Sequence, residues 1–170
     1  MSKPIGHFIN GVDVDDNNRP GPVYNPATGE LTRHVAMASK ATVEDAIAAA
    51  EAAFPAWRDT PPAKRARIMF RFKALLEEHA EEIAAAITDE HGKVFDDAMG
   101  EFGRGVEVVD YACGIPELLK GEYSRNVGPG IDSWSDFQPL GVVAGDNRYV
   151  LALQDSAVQA CQSLLWSHFH

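Results

Sequence analysis

Cys113, Cys161 and His91 are the side chains whose chemistry first suggests covalent or acid–base catalysis. A thiolate is a strong nucleophile when a nearby base or cation lowers its pKa. Cys113 instead falls on the apolar side of a predicted helix, where a core cysteine is expected. The two cysteines match neither a disulfide framework nor metal-ligand spacing. His91, followed by Gly92, is expected to interact with carbonyl groups at a helix end rather than to act in catalysis.

An acidic loop near the N-terminus partly matches a calcium-binding loop. Asp13, Asp15 and Asn17 have the spacing of its first ligands. The sixth position, which needs glycine, is Asn18, and the twelfth, which needs a bidentate glutamate, is Tyr24. A solvated acidic turn is therefore predicted, and no metal site.

Two pairs of glycines could suggest a phosphate-binding loop. Gly103 and Gly105, like Gly128 and Gly130, are separated by one residue, but each pair lacks the third glycine of a dinucleotide fingerprint. Neither pair lies between a predicted strand and a predicted helix. We predict packing or turn roles for these glycines, and no cofactor-binding residues.

Composition limits the partners of the chain. Its 170 residues carry a formal net charge of −10 and a pI near 4.9, so the molecule repels nucleic-acid backbones and anionic membranes. The N-terminus has no apolar signal region, and no stretch reaches the 18 apolar residues expected of a membrane-spanning helix. These features predict a soluble, cytoplasmic protein in a reducing compartment, with no nucleic acid or membrane as partner.

Strand-like segments lie at both ends of the recognisable domain. Residues 8–12 and 22–24 are apolar runs separated by turn-forming residues and predict a β-hairpin, with a further short strand over 31–38. Turn residues at 126–130 predict a second hairpin, which leads into a buried core strand at 140–145.

Helical periodicity covers the middle of the chain. The first helix is predicted to begin after an N-cap at Thr42 and to end before Pro55. The second is predicted to begin at an N-cap at Thr60, to break near Glu78-His79 and to end at Gly92. Its predicted apolar stripe is Ile68, Phe72, Leu75, Leu76, Ile83 and Ile87.

A further helix is predicted over residues 94–113. Phe95, Phe102, Val106 and Val109 would occupy one side of it. Its three glycines at 100, 103 and 105 each cost about 1 kcal/mol relative to alanine, which suggests that another backbone approaches closely.

Four ordered segments resemble landmarks of the aldehyde dehydrogenase superfamily. They are Phe-Ile-Asn-Gly at 8–11, Asn-Pro-Ala-Thr-Gly-Glu at 25–30, Ala-Phe-Pro-Ala-Trp at 53–57 and Pro-Leu-Gly-Val-Val at 139–143. The segments Glu-His-Gly-Lys at 90–93 and Arg-Gly-x-Glu-Val-Val at 104–109 are similar to those of the CoA-acylating methylmalonate-semialdehyde dehydrogenases. The resemblance covers about residues 5–145.

The resemblance implies an α/β fold, namely the N-terminal portion of the aldehyde-dehydrogenase-like fold. Its elements would be a β-hairpin, helices and a second β-hairpin, truncated before the parallel dinucleotide-binding sheet is complete. Residues 1–145 would form this portion, and residues 146–170 a divergent tail without family resemblance.

The resemblance also implies an activity for the full-length family. Such enzymes oxidise methylmalonate or malonate semialdehyde with NAD and CoA, in the breakdown of valine, thymine or inositol. The family's apolar strand continues into an Asn-Phe-Pro motif that helps to hold the oxyanion, whereas Asn147 here lacks that context. The catalytic cysteine would lie beyond this chain, and Cys161 does not replace it. We therefore expect no catalytic residues, no bound NAD or CoA, and no activity of the chain on its own.

Arg104 is the one site residue that the resemblance carries over. The arginine at this position in the subfamily is associated with the substrate carboxylate, and a guanidinium group suits a bidentate contact of that kind. The alternative is a partly exposed helical arginine that pairs with Glu101 or Glu107.

Three functions and two origins of the tail remain open. The chain is an inactive dehydrogenase remnant, an interaction module that associates with a full-length dehydrogenase protomer or with itself through residues 120–140, or an unrelated helical adaptor. The tail is either a product of frameshifted or rearranged coding sequence or a segment that covers the core. Its apolar residues suggest one amphipathic helix.

Overall fold

The computed structural model describes residues 4–16, 18–145 and 167–168. In chain order, the elements within these residues are β1 (His7–Ile9), β2 (Val12–Val14), β3 (Pro20–Tyr24), β4 (Leu31–Ala36), α1 (Lys40–Arg58), α2 (Pro62–Glu78), α3 (Ala80–His91), α4 (Phe95–Cys113), α5 (Ile115–Leu118), β5 (Tyr123–Gly128), β6 (Ile131–Trp134), β7 (Gln138–Pro139) and β8 (Ser167–His168). The described strands pair as four antiparallel two-stranded sheets.

The first strands pair differently from the prediction. Strand β1 pairs with β2, its immediate neighbour, and β3 pairs with β4. Asn10 and Gly11 connect β1 to β2 with φ values of 51° and 80°, as a two-residue hairpin turn requires. The predicted hairpin between residues 8–12 and 22–24 is therefore wrong, because the chain already reverses direction at Asn10 and Gly11.

Helix α1 begins earlier and ends later than its sequence suggests. Ser39, not Thr42, is the N-cap, and its hydroxyl accepts a hydrogen bond of 3.2 Å from the Thr42 N–H. Pro55 lies inside the helix, which continues to Arg58. Proline removes a single backbone donor, and this last turn forms without it.

The helical segment from 60 to 92 is divided as predicted. Helix α2 ends at Glu78, α3 begins at Ala80, and Gly92 ends α3 in the left-handed conformation at a φ of 78°. Thr60 is not the N-cap of α2. Its hydroxyl donates to the Ala56 carbonyl at 2.8 Å, at the end of α1.

The core lies where α2, α4 and α5 meet. Its buried members are Met69, Leu76, Phe102, Val109, Ala112, Cys113 and Ile115, with Ile83 and Val106 packed at its edge. The predicted stripe of α2 is only partly confirmed, because Ile68, Phe72 and Leu75 are exposed while Leu76 is buried. Phe95 is likewise exposed, since it begins α4 at the edge of the packed region.

The glycines of α4 do not mark a close backbone contact at two of their three positions. A Cβ atom added at Gly100 or Gly103 would meet nothing within 4 Å, whereas Gly105 is buried. The prediction of close approach is therefore wrong at Gly100 and Gly103.

The second hairpin is confirmed, but the core strand after it is not. Strands β5 and β6 pair around a turn at residues 129–130, where Gly130 has a positive φ value. Asn126, also at positive φ, lies within β5 where the register shifts. β7 is short and pairs with β8, and residues 140–145 form no strand. Leu140, Val142 and Val143 are exposed, because the described residues place no neighbouring strand beside them.

No helix among the described residues is both long enough and apolar enough to cross a membrane.

Candidate functional site

The segment Glu-His-Gly-Lys spans the end of α3 and the loop before α4, and Gly92 packs against the loop before β4. The Glu90 carboxylate forms an ion pair with Arg33 of β4. A Cβ atom at Gly92 would lie 3.0 Å from the Pro26 ring, so the tight approach and the positive φ both favour glycine there. The end of α3 therefore contacts β4 and the loop that precedes it.

Lys93 and Glu101 form a buried ion pair at the start of α4. The ammonium group of Lys93 donates a hydrogen bond to the Glu101 carboxylate. The two side chains are 13% and 2% exposed. Burial of a charge is costly unless it is paired, so each residue requires the other. The pair holds the first two turns of α4 against the loop.

Arg104 lies one turn after Glu101 on the exposed side of α4. Glu101 is paired with Lys93, so the alternative pairing of Arg104 with Glu101 is not formed. Within the described residues, Arg104 forms no ion pair with Glu107 either. Gly100, one turn before Arg104, leaves open space on the helix surface. The guanidinium group is thus accessible to an anionic ligand.

The other predicted positions have structural roles. Cys113 is buried in the core, and burial raises the pKa of its thiol. The prediction of a core cysteine is confirmed. His91 is the last residue of α3, Gly103 lies inside α4, and Gly128 ends β5. Asn17, Asn147 and Cys161 lie outside the described residues, as does the predicted helix of the tail.

Asp16 joins the acidic loop to the start of α1, a role that the sequence reasoning missed. Its carboxylate accepts hydrogen bonds from the Ser39 N–H at 2.7 Å, the Thr42 hydroxyl at 2.5 Å and the Asn18 N–H at 2.9 Å. The hydrogen bond from the Thr42 hydroxyl has the largest effect and that from the Ser39 N–H the next largest. Together they lower the pKa of Asp16 from its usual 3.8 to about 2. The sequence signal for this contact is the pair of hydroxyl residues, Ser39 and Thr42, at the start of α1.

Substitution of Asp16 by asparagine should destabilise the fold in a pH-dependent way. A carboxylate whose pKa is lower in the folded state stabilises that state above the unfolded pKa of 3.8, and this contribution disappears as the pH falls through about 2. We therefore expect the midpoint of urea unfolding for Asp16→Asn to lie below wild type at pH 7 and to converge with it near pH 2. Asp13→Asn, on exposed β2, is the matched control. A difference that stays constant from pH 7 to pH 2 would contradict the assignment.

An apolar groove of about 460 Å³ lies between α1 and the N-terminal hairpin. Its polar members are His7 and Thr42, and its other walls are Phe8, Ile9, Ala38, Val43, Ala46, Ile47, Ala50, Val142, Val143 and Ala144. No lysine or arginine lines the groove, so it lacks the fixed positive charge that a phosphate site uses. The groove suits an apolar occupant.

Comparison with known proteins establishes the family. The model of the aldehyde dehydrogenase family matches residues 13–145. The chain belongs to the aldehyde dehydrogenase family. Its elements are those of the N-terminal portion of that fold, as the sequence landmarks predict.

Two relatives of this chain are semialdehyde dehydrogenases. It is 60% identical over 141 residues to a malonate-semialdehyde dehydrogenase of Pseudomonas aeruginosa, which covers 83% of this chain and 28% of that protein. A crystal structure of methylmalonate-semialdehyde dehydrogenase from Oceanimonas doudoroffii matches with 64% identity and a TM-score of 0.78, over 82% of this chain and 28% of that one. The chain thus spans less than a third of these relatives.

A third relative is a family member bound to NAD. A structure from Sinorhizobium meliloti 1021 in complex with NAD matches with 44% identity and a TM-score of 0.78, over 83% of this chain and 29% of that one. In this chain, the described glycine pairs lie in a helix and in a hairpin, not between a strand and a helix N-terminus. Neither glycine pair therefore has the strand-to-helix setting of a dinucleotide fingerprint.

Proposed function

We propose that residues 1–145 are the N-terminal structural framework of a CoA-acylating methylmalonate- or malonate-semialdehyde dehydrogenase, and that residues 146–170 are a divergent tail. The 170 residues by themselves do not oxidise the aldehyde. The identity to the Pseudomonas aeruginosa relative and the family match that ends at residue 145 support this assignment. The free thiol of Cys113 supports a reducing, cytoplasmic location.

The observation that carries the proposal is the state of Cys113. Aldehyde oxidation of this kind requires an accessible thiolate and donors that stabilise an oxyanion. Cys113 is buried among apolar side chains of α2, α4 and α5, and its pKa is raised rather than lowered. A thiol in this state is a poor nucleophile.

Arg104 is the residue that we assign to the substrate. Its exposed guanidinium group would contact the carboxylate of the semialdehyde. In water, a single exposed ion pair contributes at most about 1 kcal/mol, so Arg104 needs partners to hold the substrate. We therefore assign no useful substrate affinity to the chain by itself.

The test is an assay of NADH formation with the purified chain, methylmalonate semialdehyde, NAD and CoA. We expect no turnover above a protein-free control, while the full-length methylmalonate-semialdehyde dehydrogenase of Oceanimonas doudoroffii serves as the positive control in the same assay. Turnover that survives repurification, and is lost in Cys161→Ser, would overturn the proposal, because the tail would then supply the nucleophile.

A second candidate function is association with a complete dehydrogenase protomer. The hairpin of β5 and β6 exposes Tyr123, Val127, Ile131 and Trp134, the last of which is 73% exposed. Exposed apolar groups that cluster in this way are typical of protein contact surfaces. Asp132 of β6 links the two strands of the hairpin, because its carboxylate accepts hydrogen bonds from the Tyr123 hydroxyl and the Asn126 N–H of β5.

Co-expression with a full-length methylmalonate-semialdehyde dehydrogenase distinguishes the two candidates. Association through the hairpin predicts that the two proteins co-purify and that Trp134→Ser lowers the yield of the complex. Equal recovery of the complex with Trp134→Ser and with wild type would place the contact outside the hairpin, and no complex with either would rule out association.

A further inference from the structure

Helix α1 has an apolar face that no other described element buries. None of its 19 residues is buried. Val43 and Ile47 are exposed, and together with Ala46 and Ala50 they form the α1 wall of the apolar groove. An amphipathic helix normally gains its stability by burying such a face, so the open groove is a site where an apolar partner would stabilise α1.

The groove has an acidic margin. Glu44 and Glu51 are exposed and lie seven residues apart, close to two helical turns, so both fall on the same side of the Val43 and Ile47 stripe. Their separation along the helix axis is about 10.5 Å. Glu44 contacts Lys40 at 3.4 Å, but both side chains are largely exposed, and such a pair is easily exchanged.

Helix α2 has the complementary character. Five of the chain's 15 Lys and Arg residues lie between positions 64 and 73, and no Asp or Glu occurs from 62 to 76. Ile68, Phe72 and Leu75 form a stripe that is 40–54% exposed. Lys64 and Arg71 border this stripe and, like the two glutamates, are seven residues apart.

We infer that the exposed α2 stripe of one copy docks into the α1 groove of a second copy. Ile68, Phe72 and Leu75 would fill the groove, while Lys64 and Arg71 would face Glu44 and Glu51. The matched spacing of about 10.5 Å allows both charge pairs to form when two helices pack side by side. Because the chain as a whole carries a net charge of −10, copies repel each other in most orientations. The basic face of α2 is the surface that an acidic margin attracts.

Charge exchange tests this contact. One variant is Lys64→Glu/Arg71→Glu, and the other is Glu44→Lys/Glu51→Lys. We expect sedimentation to show that wild type associates with a Kd that rises with NaCl, and that each variant by itself has a Kd at least about tenfold higher. An equimolar mixture should associate again to within about threefold of wild type, because each reversed surface then meets its opposite.

The controls separate this contact from net charge, misfolding and the hairpin. Arg19→Glu/Lys120→Glu changes the net charge by the same amount as the α2 variant but lies outside both helices, so its Kd should stay close to that of wild type. Recovery of association in the mixture also shows that both variants are folded. The inference is overturned if wild type is monomeric at all concentrations, if the reversed variants associate as wild type does, or if the mixture does not recover. Loss of association in Trp134→Ser with unchanged charge variants would assign the contact to the hairpin instead.

Discussion

Replacement of Lys93 by methionine is expected to lower the free energy of unfolding by about 3–5 kcal/mol. The Glu101 carboxylate, 2% exposed, would remain buried at the start of α4 without its partner. An uncompensated buried charge is strongly destabilising, whereas an apolar pair in the same space is often neutral. The double variant Lys93→Met/Glu101→Leu should therefore lie within about 1 kcal/mol of wild type.

Urea unfolding followed by circular dichroism measures both variants. Lys120→Met is the matched control, because Lys120 pairs with Glu117 at an exposed site where both side chains are mostly in solvent. Its cost should be at most about 1 kcal/mol. A Lys93→Met cost no larger than that of Lys120→Met would contradict the role of the buried pair.

Substitution of Phe102 by alanine is the second change with a large expected effect. Phe102 is 6% exposed and packs with Met69, Leu76 and Val109 in the core of α2 and α4. Truncation of a buried phenylalanine leaves a cavity and typically costs about 3–5 kcal/mol. Because the free energy of unfolding of a domain is only about 5–15 kcal/mol, this change removes a large part of the stability and lowers the urea midpoint.

Phe70→Ala is the matched control, because it makes the same substitution at an exposed position. Phe70 lies on α2 and is 57% exposed, so little apolar surface is lost and little cavity is formed. We expect a cost below about 1 kcal/mol in the same urea titration. Equal costs for Phe70→Ala and Phe102→Ala would place the core elsewhere.

The helices that could be predicted from sequence are those whose ends have a chemical signal. Gly92 ends α3 because glycine adopts the left-handed conformation without a steric penalty. The break between Glu78 and Ala80 was likewise predictable from the length of the periodic stretch. Pro55 misled the prediction, because a proline near the C-terminal end of a helix removes one donor and does not forbid one more turn.

Strand pairing was less predictable because it depends on distant residues. Asn10-Gly11 is a typical two-residue hairpin turn, but the acidic loop that follows is also rich in turn-forming residues, so the sequence offers two places for the chain to reverse. The apolar run at 140–145 has the composition of a buried strand. Composition does not supply neighbours, and the described residues leave this segment exposed and outside any sheet.

The candidate site illustrates the same limit for side chains. The position of Arg104 on α4 follows from helical spacing, but the partner of Glu101 does not. Lys93 lies eight residues from Glu101 and precedes the helix, so no i,i+4 rule connects them. The pairing arises from the path of the loop after Gly92, which depends on packing against Pro26.

Titration of the purified chain with NAD by isothermal calorimetry tests the central claim most directly, namely that this dehydrogenase framework holds no cofactor by itself. A full-length methylmalonate-semialdehyde dehydrogenase in the same buffer is the positive control. We predict no saturable heat with the 170-residue chain up to millimolar NAD and clear saturation with the full-length protein. Saturable, stoichiometric binding to the chain with a micromolar Kd would contradict the account, because a nucleotide site would then exist within these residues.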